Sequence, residues 1–473
     1  MIMPEAATIP APRGLSADSG PATTGHTSAN LYPNDTIVSQ ATPPGASGVA
    51  LVRISGPQSL DYIGQLCNPP LAEHPRHAFL AALTAPRTGT VIDDALVTYF
   101  KGPASFTGED VVEIGTHGGY VTPRLVVQAC LGLGARQANP GEFSLRAYLN
   151  GKLDLPAAEA LHEQITSLSR RGQQAASGNL HGQLSKLLDA LRQQLRNLLA
   201  TLEHELDFSE DEIESTTQQQ IQATLEEALA NLRRLLATAP YGRILRDGCR
   251  IVIAGAPNAG KSSLFNALSG RERAIVTDIP GTTRDSLESW IDMDGFPVCL
   301  IDTAGLHEGG DRLERLGIER SEEALEGADL VLLLDPDDPT TAPISFTSTE
   351  KTIIYVKSKS DLPSRDPAPE GVIRCSVVKE GGLDALHQAL IEALQGYIPA
   401  TDGPVVTSDR QRAAIESALS SLIIARDGML AGQPLDLLTG EVRLAVDQLA
   451  EIMGETTRQD VLQEIFAQFC VGK

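Results

Sequence analysis

The run GAPNAGKS, Gly255 to Ser262, sets two glycines, a lysine and a hydroxyl at the spacing G-x-x-x-x-G-K-[ST]. Gly255 and Gly260 let the backbone curl until its amide N–H groups face a polyphosphate, and a following helix adds its positive N-terminal end. In such a cradle Lys261 reaches the β- and γ-phosphates and the Ser262 hydroxyl ligates Mg²⁺. Nucleotide contacts are expected from Asn258, Ala259, Gly260, Lys261, Ser262 and Ser263. Downstream, DTAG ends the apolar run PVCLID: Asp302 is expected to reach Mg²⁺ and the Gly305 amide the γ-phosphate, with Thr303 and Ala304 lying between them at the nucleotide. GTTRD, Gly281 to Asp285, supplies a switch threonine, Thr283, to the Mg²⁺ shell, with Thr277 and Thr282 beside the nucleotide.

Base choice is expected from SKSD, Ser358 to Asp361, which follows the strand-like KTIIYV. The Asp361 carboxylate can accept from guanine N1–H and N2–H₂, a donor pair that adenine lacks. Lys359 keeps the usual GTPase pattern Asn-Lys-x-Asp, but Ser358 stands where that pattern has asparagine, a change expected to loosen the loop. In CSVVKEGGL, backbone amides around Ser376, Val377 and Val378 are placed to meet the base oxygen. Many GTPases position the attacking water with a glutamine directly after the DxxG glycine. Here that residue is Leu306, which cannot orient water. Asn258 has a side-chain oxygen close to the β/γ bridge, and TDIPGTT could fold carbonyls over the same point. An amide oxygen with a ring of carbonyls suits a monovalent cation that would do an arginine finger's electrostatic work; a loop-shaping hydrogen bond is the alternative for Asn258.

These residues need a strand–loop–helix frame, and RIVIAGAPNAGKSSLFNAL reads as one. Strand and helix patterns alternate from Cys249 to about Ile398, an inserted α/β P-loop (Ras-like) GTPase domain over 248–398. On either side the period is helical. Leu184, Leu188, Leu191, Leu195, Leu198 and Leu202 step by four and three, one face of a long helix that must find partners. Helical patterns resume at SDRQRAAIESALSSLIIARDGM, so the simplest topology is an α-helical bundle domain from 153–247 and 399–473 with the nucleotide domain inserted. Before it, VALVRIS, DDALVTYF and EDVVEIGTHGG alternate as strands and YVTPRLVVQACLGLG reads as a helix, an α+β domain over 33–152. Residues 1–32, rich in Pro, Ala, Ser, Thr and Gly, read as a disordered extension.

Composition narrows the classes. A net charge of −23 argues against gripping nucleic acid by its phosphates alone. The six cysteines (Cys67, Cys130, Cys249, Cys299, Cys375, Cys470) show no CxxC or zinc spacing, which argues against a metal knuckle and for a reducing compartment. No apolar run approaches the ~18–20 residues of a membrane span. FCVGK, Phe469 to Lys473, remains to be explained. Either a helix runs to Gly472 with Cys470 as apolar filler, or the thiol has a role.

Taken together, the GTPase residues and the stretches DTIVSQATPPG, SFTGEDVVEI, PGEFSLRAYLNGKLDL and FCVGK resemble the bacterial tRNA-modification GTPase family MnmE, also called TrmE, over roughly Asn34 to Lys473. The resemblance implies a folate-binding first domain that mediates homodimerisation, and a helical domain carrying the inserted GTPase domain. It implies K⁺-dependent activation as the GTPase domains of a dimer approach. The implied partner is the FAD-containing protein MnmG, in a heterotetramer. Together they place an aminomethyl or carboxymethylaminomethyl group on C5 of the wobble uridine of certain tRNAs. The one-carbon unit would come from 5,10-methylene- or 5-formyl-tetrahydrofolate, in the cytoplasm, with tRNA held mainly by the partner. By the resemblance, Asn258, Thr277, Ile279 and Thr282 are K⁺ ligands and Ser262 and Thr283 are Mg²⁺ ligands. Glu314 positions the hydrolytic water, and Arg53, Glu113, Lys152 and Lys473 contact folate. Cys470 would then be a nucleophile or redox thiol, its thiolate favoured by Lys473. Ala46, where the family often has arginine, and Thr116, where it often has glycine, depart from the pattern. A ribosome-assembly GTPase or a dynamin-like assembly protein would share the P-loop, but the first would add a basic RNA-binding module and the second leaves PGEFSLRAYLNGKLDL unexplained.

Overall fold

The computed structural model describes residues 34–68, 74–208, 215–275, 288–303, 322–341, 351–362, 369–400 and 403–472. The extension expected over 1–32 lies outside them. The described chain falls into two compact units, one drawn from Met1–Gly102 and Glu109–Gln137, the other from Pro103–Gly108 and Ala138–Lys473.

In the first unit seven strands form one sheet: β1 Ile37–Gln40, β2 Val49–Ser55, β3 Cys67–Asn68, β4 Ala78–Thr84, β5 Val91–Phe100, β6 Val111–His117 and β7 Arg136–Gln137. Their order is β3-β4-β5-β6-β2-β1-β7, antiparallel except for the β1–β7 edge. Strand alternation decides the faces. Val52, Ile54, Val112 and Ile114 point to one side, where they share a core with Ile63 and Leu66 of the helix Ser59–Leu66 and Val126 and Cys130 of the helix Thr122–Leu133. Arg53 and Glu113, directly opposite each other in register, carry the other side chain parity, with exposed Leu80 and Leu96 on neighbouring strands.

Among the described residues the second unit contains four hydrophobic cores. The stripe leucines Leu184, Leu188, Leu191, Leu195, Leu198 and Leu202 on the helix Gln183–Phe208 are buried, with Leu187 and Leu199 half-buried beside them. They pack with the helix Ser215–Leu236 and with two helices from the far end of the chain, Asp409–Leu430 and Leu435–Met453. A stripe of that width cannot be buried by its own neighbour in sequence alone, which is why the C-terminal pair is recruited. The chain re-enters this bundle through Val405 to Thr407, where the helix Arg170–Leu180 and the helix Ala239–Asp247 with its N-cap Thr238 clamp it. Asn179 Nδ2 donates to Val405 O at 2.8 Å, the Val406 amide donates to Thr238 Oγ1 at 3.0 Å and Arg246 Nη1 donates to Thr407 O at 2.7 Å. Beside it, the buried Glu159 carboxylate accepts from Arg410 at 2.8 and 2.9 Å and from Gln411 Nε2 at 2.7 Å. Satisfying a buried carboxylate this fully is what makes its burial tolerable.

Between the two halves lies a second sheet: β8 Cys249–Gly255, β9 Arg273–Ala274, β10 Glu288–Met293, β11 Phe296–Asp302, β12 Leu330–Asp335, β13 Thr352–Lys357 and β14 Ile373–Arg374. The order is β14-β13-β12-β8-β11-β10-β9, parallel from β14 through β11. Parallel strands covered on both faces read as continuous apolar runs, and Leu330–Asp335 (LVLLLD) contributes alternately to two opposed cores. Arg171 secures the β10–β11 turn from the helix Arg170–Leu180: its Nε donates to Asp294 O at 2.9 Å, and its guanidinium lies 4.8 Å from the Phe296 ring centroid. Among the described residues no helix is long and apolar enough to cross a membrane.

Candidate nucleotide site and C-terminal cysteine

Parallel pairing of β8 with β11 and β12 brings Gly255 and Asp302 to one end of the sheet, where the chain must turn out of the strand. Gly255 turns there at φ +143°, and a Cβ on it would lie 2.0 Å from Leu334 O, so only glycine fits. The loop then passes through Asn258 at φ +62° and Gly260 at φ +95° into the helix Lys261–Arg271. Lys261 is buried, and its Nζ donates to Gly255 O at 2.9 Å and Ala256 O at 3.0 Å. Burial holds the Lys261 ammonium below its usual range, against the opposing pull of Asp302. Ser262 and Ser263 open the helix on its exposed side, and Ala259 is buried. Asp302 and Thr303 are buried, Thr303 Oγ1 donating to Ile253 O at 2.9 Å.

At the neighbouring strand ends the residues expected to read the base assemble. Lys359, at φ +52°, donates from Nζ to Asn258 O at 2.7 Å, tying this loop to the phosphate loop. The Ser358 amide donates to Asp335 O at 3.0 Å and the Ser360 amide to Cys375 O at 3.0 Å. The loop's position therefore does not rest on the Ser358 side chain, the change expected to loosen it. Ser376 Oγ donates to Asp361 Oδ1 at 2.7 Å and holds that carboxyl below its usual range, keeping it an acceptor. The same oxygen accepts from the Val378 and Lys379 amides, each at 3.2 Å. Val377 and Val378 are exposed at the loop surface. Sequence spacing assigns nothing to Gly382, yet its carbonyl accepts from the Ser376 amide at 3.0 Å, and a Cβ there would lie 2.3 Å from Ser376 O. The paired glycines of KEGGL are the only sequence signal for it.

Thr277, Ile279, Thr282, Thr283, Ala304, Gly305, Glu314 and Lys473 lie outside the described residues, as does Leu306. Of the expected K⁺ ligands Asn258 alone is described, and of the Mg²⁺ ligands Ser262. Among the described residues no group of three or more His, Cys, Asp or Glu side chains could hold a metal ion. The hydroxyl of Ser262 at the first turn of the helix, close in sequence to the Lys261 ammonium, instead suits an ion carried in with a phosphate.

The expected folate residues divide between the two units. In the first, Arg53 Nε and Nη2 both donate to Glu113 Oε1, at 3.0 and 2.7 Å. The cross-strand pair thus presents a joined cation and anion rather than two separate charges. In the second, Lys152 is exposed and donates from Nζ to Pro103 O at 3.0 Å, while Asn150 Nδ2 donates to Thr107 O at 2.7 Å, so that NGK and SFTG meet.

The C-terminal residues close another long-range contact. The last helix ends at Ala467, not at Gly472, and the chain continues with Phe469 packed on Leu155, Ala158, Leu462 and Phe466. The His162 ring lies 4.9 Å from the Phe469 ring. Val471 forms a β-bridge with Pro140, placing FCVG against PGEF. Gly141, at φ +67°, could not carry a Cβ, which would lie 2.1 Å from Phe466 O. This arrangement leaves Cys470 exposed, so it is not apolar filler, whereas the other five cysteines are buried. Burial pushes Cys67 and Cys375 up to about 11 and Cys130 and Cys299 up to about 12, and raises Cys249 further, which leaves those thiols inert near neutral pH.

Comparison with known proteins adds to this geometry. Residues 36–152 match the family model described as the GTP-binding protein TrmE N-terminus, and residues 155–470 match that of the MnmE helical domain. A Geobacillus kaustophilus protein named tRNA modification GTPase MnmE is 40% identical over 458 residues, covering 93% of this chain and 99% of that protein. One of the same name from Chloroflexus aurantiacus is 41% identical over 454 residues, covering 93% of this chain and 100% of that protein.

Proposed function

This chain belongs to the MnmE family of tRNA modification GTPases, and from that membership we propose that it hydrolyses GTP in the course of modifying the wobble uridine of tRNA. The observation that carries the reading is the convergence of Lys261, Lys359 and the Ser376-oriented Asp361 around one phosphate loop. The loop amides and Lys261 bind and orient the phosphates, Asp361 accepts from the guanine edge, and the buried Asp302 and the Ser262 hydroxyl serve the Mg²⁺, with Thr283 as the further proposed ligand. A bound Mg²⁺ neutralises phosphate charge. Glu314 positions water in place of Leu306. A K⁺ held by Asn258, Thr277, Ile279 and Thr282 supplies the charge that an arginine finger supplies elsewhere. GTPase rates measured at equal ionic strength are expected to be at least about tenfold higher in KCl than in NaCl. Equal rates would remove the cation from the reading.

The proposed domains are 33–152 for folate and homodimerisation, 153–247 with 399–473 for the helical frame, and 248–398 for GTP, with 1–32 as an extension. The proposed assembly is a heterotetramer with the FAD-containing MnmG in the cytoplasm, the tRNA held mainly by that partner. Arg53, Glu113, Lys152 and Lys473 are the proposed folate residues. The Arg53–Glu113 pair, presenting donors and an acceptor side by side, has the chemistry to read a pterin's amide edge. A folate supplies the one-carbon unit when bound. Cys470, the exposed thiol, would serve there as a nucleophile or a redox thiol. Nucleoside mass spectrometry of tRNA from cells lacking this protein tests the reading. The C5-modified wobble uridine should vanish, return with the wild-type chain and stay absent with Cys470→Ser. If the modification never depends on this protein, the tRNA reading fails. If serine rescues fully, the thiol has no role.

A further inference from the structure

Arg171 grips the outer turn of the β10–β11 hairpin. Besides the Nε bond to Asp294 O, its Nη2 donates to Asp294 Oδ2 at 3.1 Å and its amide to Gly295 O at 3.4 Å, with the guanidinium over the Phe296 ring. The turn is shaped for this grip: Asp294 sits at φ +51° and Gly295 at φ +82°, and a Cβ on Gly295 would lie 3.0 Å from Arg171 Cγ. Fastening alone does not account for it, since Arg243 of the helix Ala239–Asp247 already ties to Asp329 beside β12. The hairpin's other end carries chemistry. β11 ends at Asp302, where DTAG opens, and GTTRD stops just before Glu288, where β10 begins. The two strands pair from Glu288 opposite Ile301 to Met293 opposite Phe296, and β11 is buried throughout. Such a packed pair moves as one body. A shift at Asp302 therefore reaches the Arg171 turn, about 20 Å away along the strand.

On the bundle side Arg171 lies in the first turn of the helix Arg170–Leu180, and only residues 167–169 separate that helix from Leu155–Thr166. The join is stiff. Ser167 Oγ donates to Ser169 O at 3.0 Å, Ser169 Oγ accepts from the Gly172 amide at 3.1 Å, and a Cβ on Gly172 would lie 2.8 Å from Ser167 Oγ. The helix Leu155–Thr166 is the one on which Phe469 docks, through Leu155, Ala158 and His162. Resting on the GTPase reading above, we infer that the Arg171 clasp couples the nucleotide bound at the phosphate loop to the docking of residues 469–471, the segment that carries Cys470. The clasp is the element with two states. Its two side chains are 30% and 42% exposed, so water replaces either partner at little cost when the turn shifts. The buried strand on one side and the short serine join on the other have no such alternative. Arg171 is thus a positioning residue, acting through its helix. A nucleotide moves this equilibrium only by its different contacts in the two states, and the docked segment acts back on nucleotide affinity by the same factor.

Hydrogen exchange at the Phe469 amide of the full-length protein, loaded with GDP or with a non-hydrolysable GTP analogue, tests the coupling. In the wild type the two rates are expected to differ by at least about fivefold, the low end of ordinary coupling between sites. Arg171→Ala should bring them within about twofold of each other while still binding both nucleotides. A clasp that only fastens would lower the melting temperature of Arg171→Ala and leave the wild-type difference in place, which overturns the inference. Equal rates in the wild type, with both nucleotides bound, overturn it as well and leave the GTPase reading standing. If the wild type binds neither nucleotide, the GTPase reading itself fails and the inference with it. Asp294→Gly suits the φ of +51° and removes the same ion pair from the other side, so the comparison holds even if Arg171→Ala does not fold.

Discussion

Replacing Asp361 by asparagine is expected to move this protein's preference from guanine to xanthine nucleotides by about a thousandfold or more, since sites built around buried-edge hydrogen bonds reject the wrong partner by large factors. The wild-type carboxylate only accepts, and guanine offers N1–H and N2–H₂ to it. The amide introduced by Asp361→Asn would present one acceptor and one donor. Xanthine, with a carbonyl at position 2, matches that pair, and guanine then places its amino group against an N–H. The substitution should leave the loop intact. Ser376 Oγ, which donates to Asp361 Oδ1 at 2.7 Å, can donate equally to an amide oxygen, and the Val378 and Lys379 amides keep their acceptor on Ser376. Competition between GDP and XDP, with a thermal melt to confirm folding, reads the result. A variant that still prefers GDP would mean the base is read by other residues.

Gly141→Ala is expected to abolish tRNA modification while changing the GTPase rate by no more than about twofold. The new Cβ would lie 2.1 Å from Phe466 O, and the backbone at φ +67° disfavours any side chain. Relief requires the last helix to move, which breaks the Pro140–Val471 bridge and lifts Phe466 and Phe469 from Leu155 and Ala158. Exposing those rings costs about 3 kcal/mol by the usual worth of buried aromatics. Hydrogen exchange at the Phe469 amide, which donates to Phe466 O at 3.1 Å, reports the release. Gly132→Ala, where a Cβ meets nothing within 4 Å, is the matched control. Full modification by a variant whose Phe469 amide exchanges freely would show that docking of the C-terminal segment has no part in the function.

Local chemistry was legible without coordinates. A buried strand, a glycine loop and a helix are contiguous in sequence, so Gly255 to Ser262 could be read as a phosphate cradle from the residues in order. The leucine stripe from 184 to 202 declared a buried face for the same reason, since helical period is a property of one segment. What the sequence could not state is which distant segments meet. That the C-terminal helices complete the bundle was already the simplest topology, but the contacts that fix their return through Val405 to Thr407 were not legible. That Arg53 and Glu113 neutralise each other follows from a strand register. That Ser376 aims Asp361 and that Gly141 makes room for Phe466 follow from loops closing on one another. Sequence by itself determined the kinds of group available and the local frames that carry them, because those depend on nearest neighbours along the chain. Tertiary structure alone decided their pairing, their charge state and the exposure of Cys470, because hydrogen bonds and burial act across space between residues whose separation in sequence carries no record of the contact.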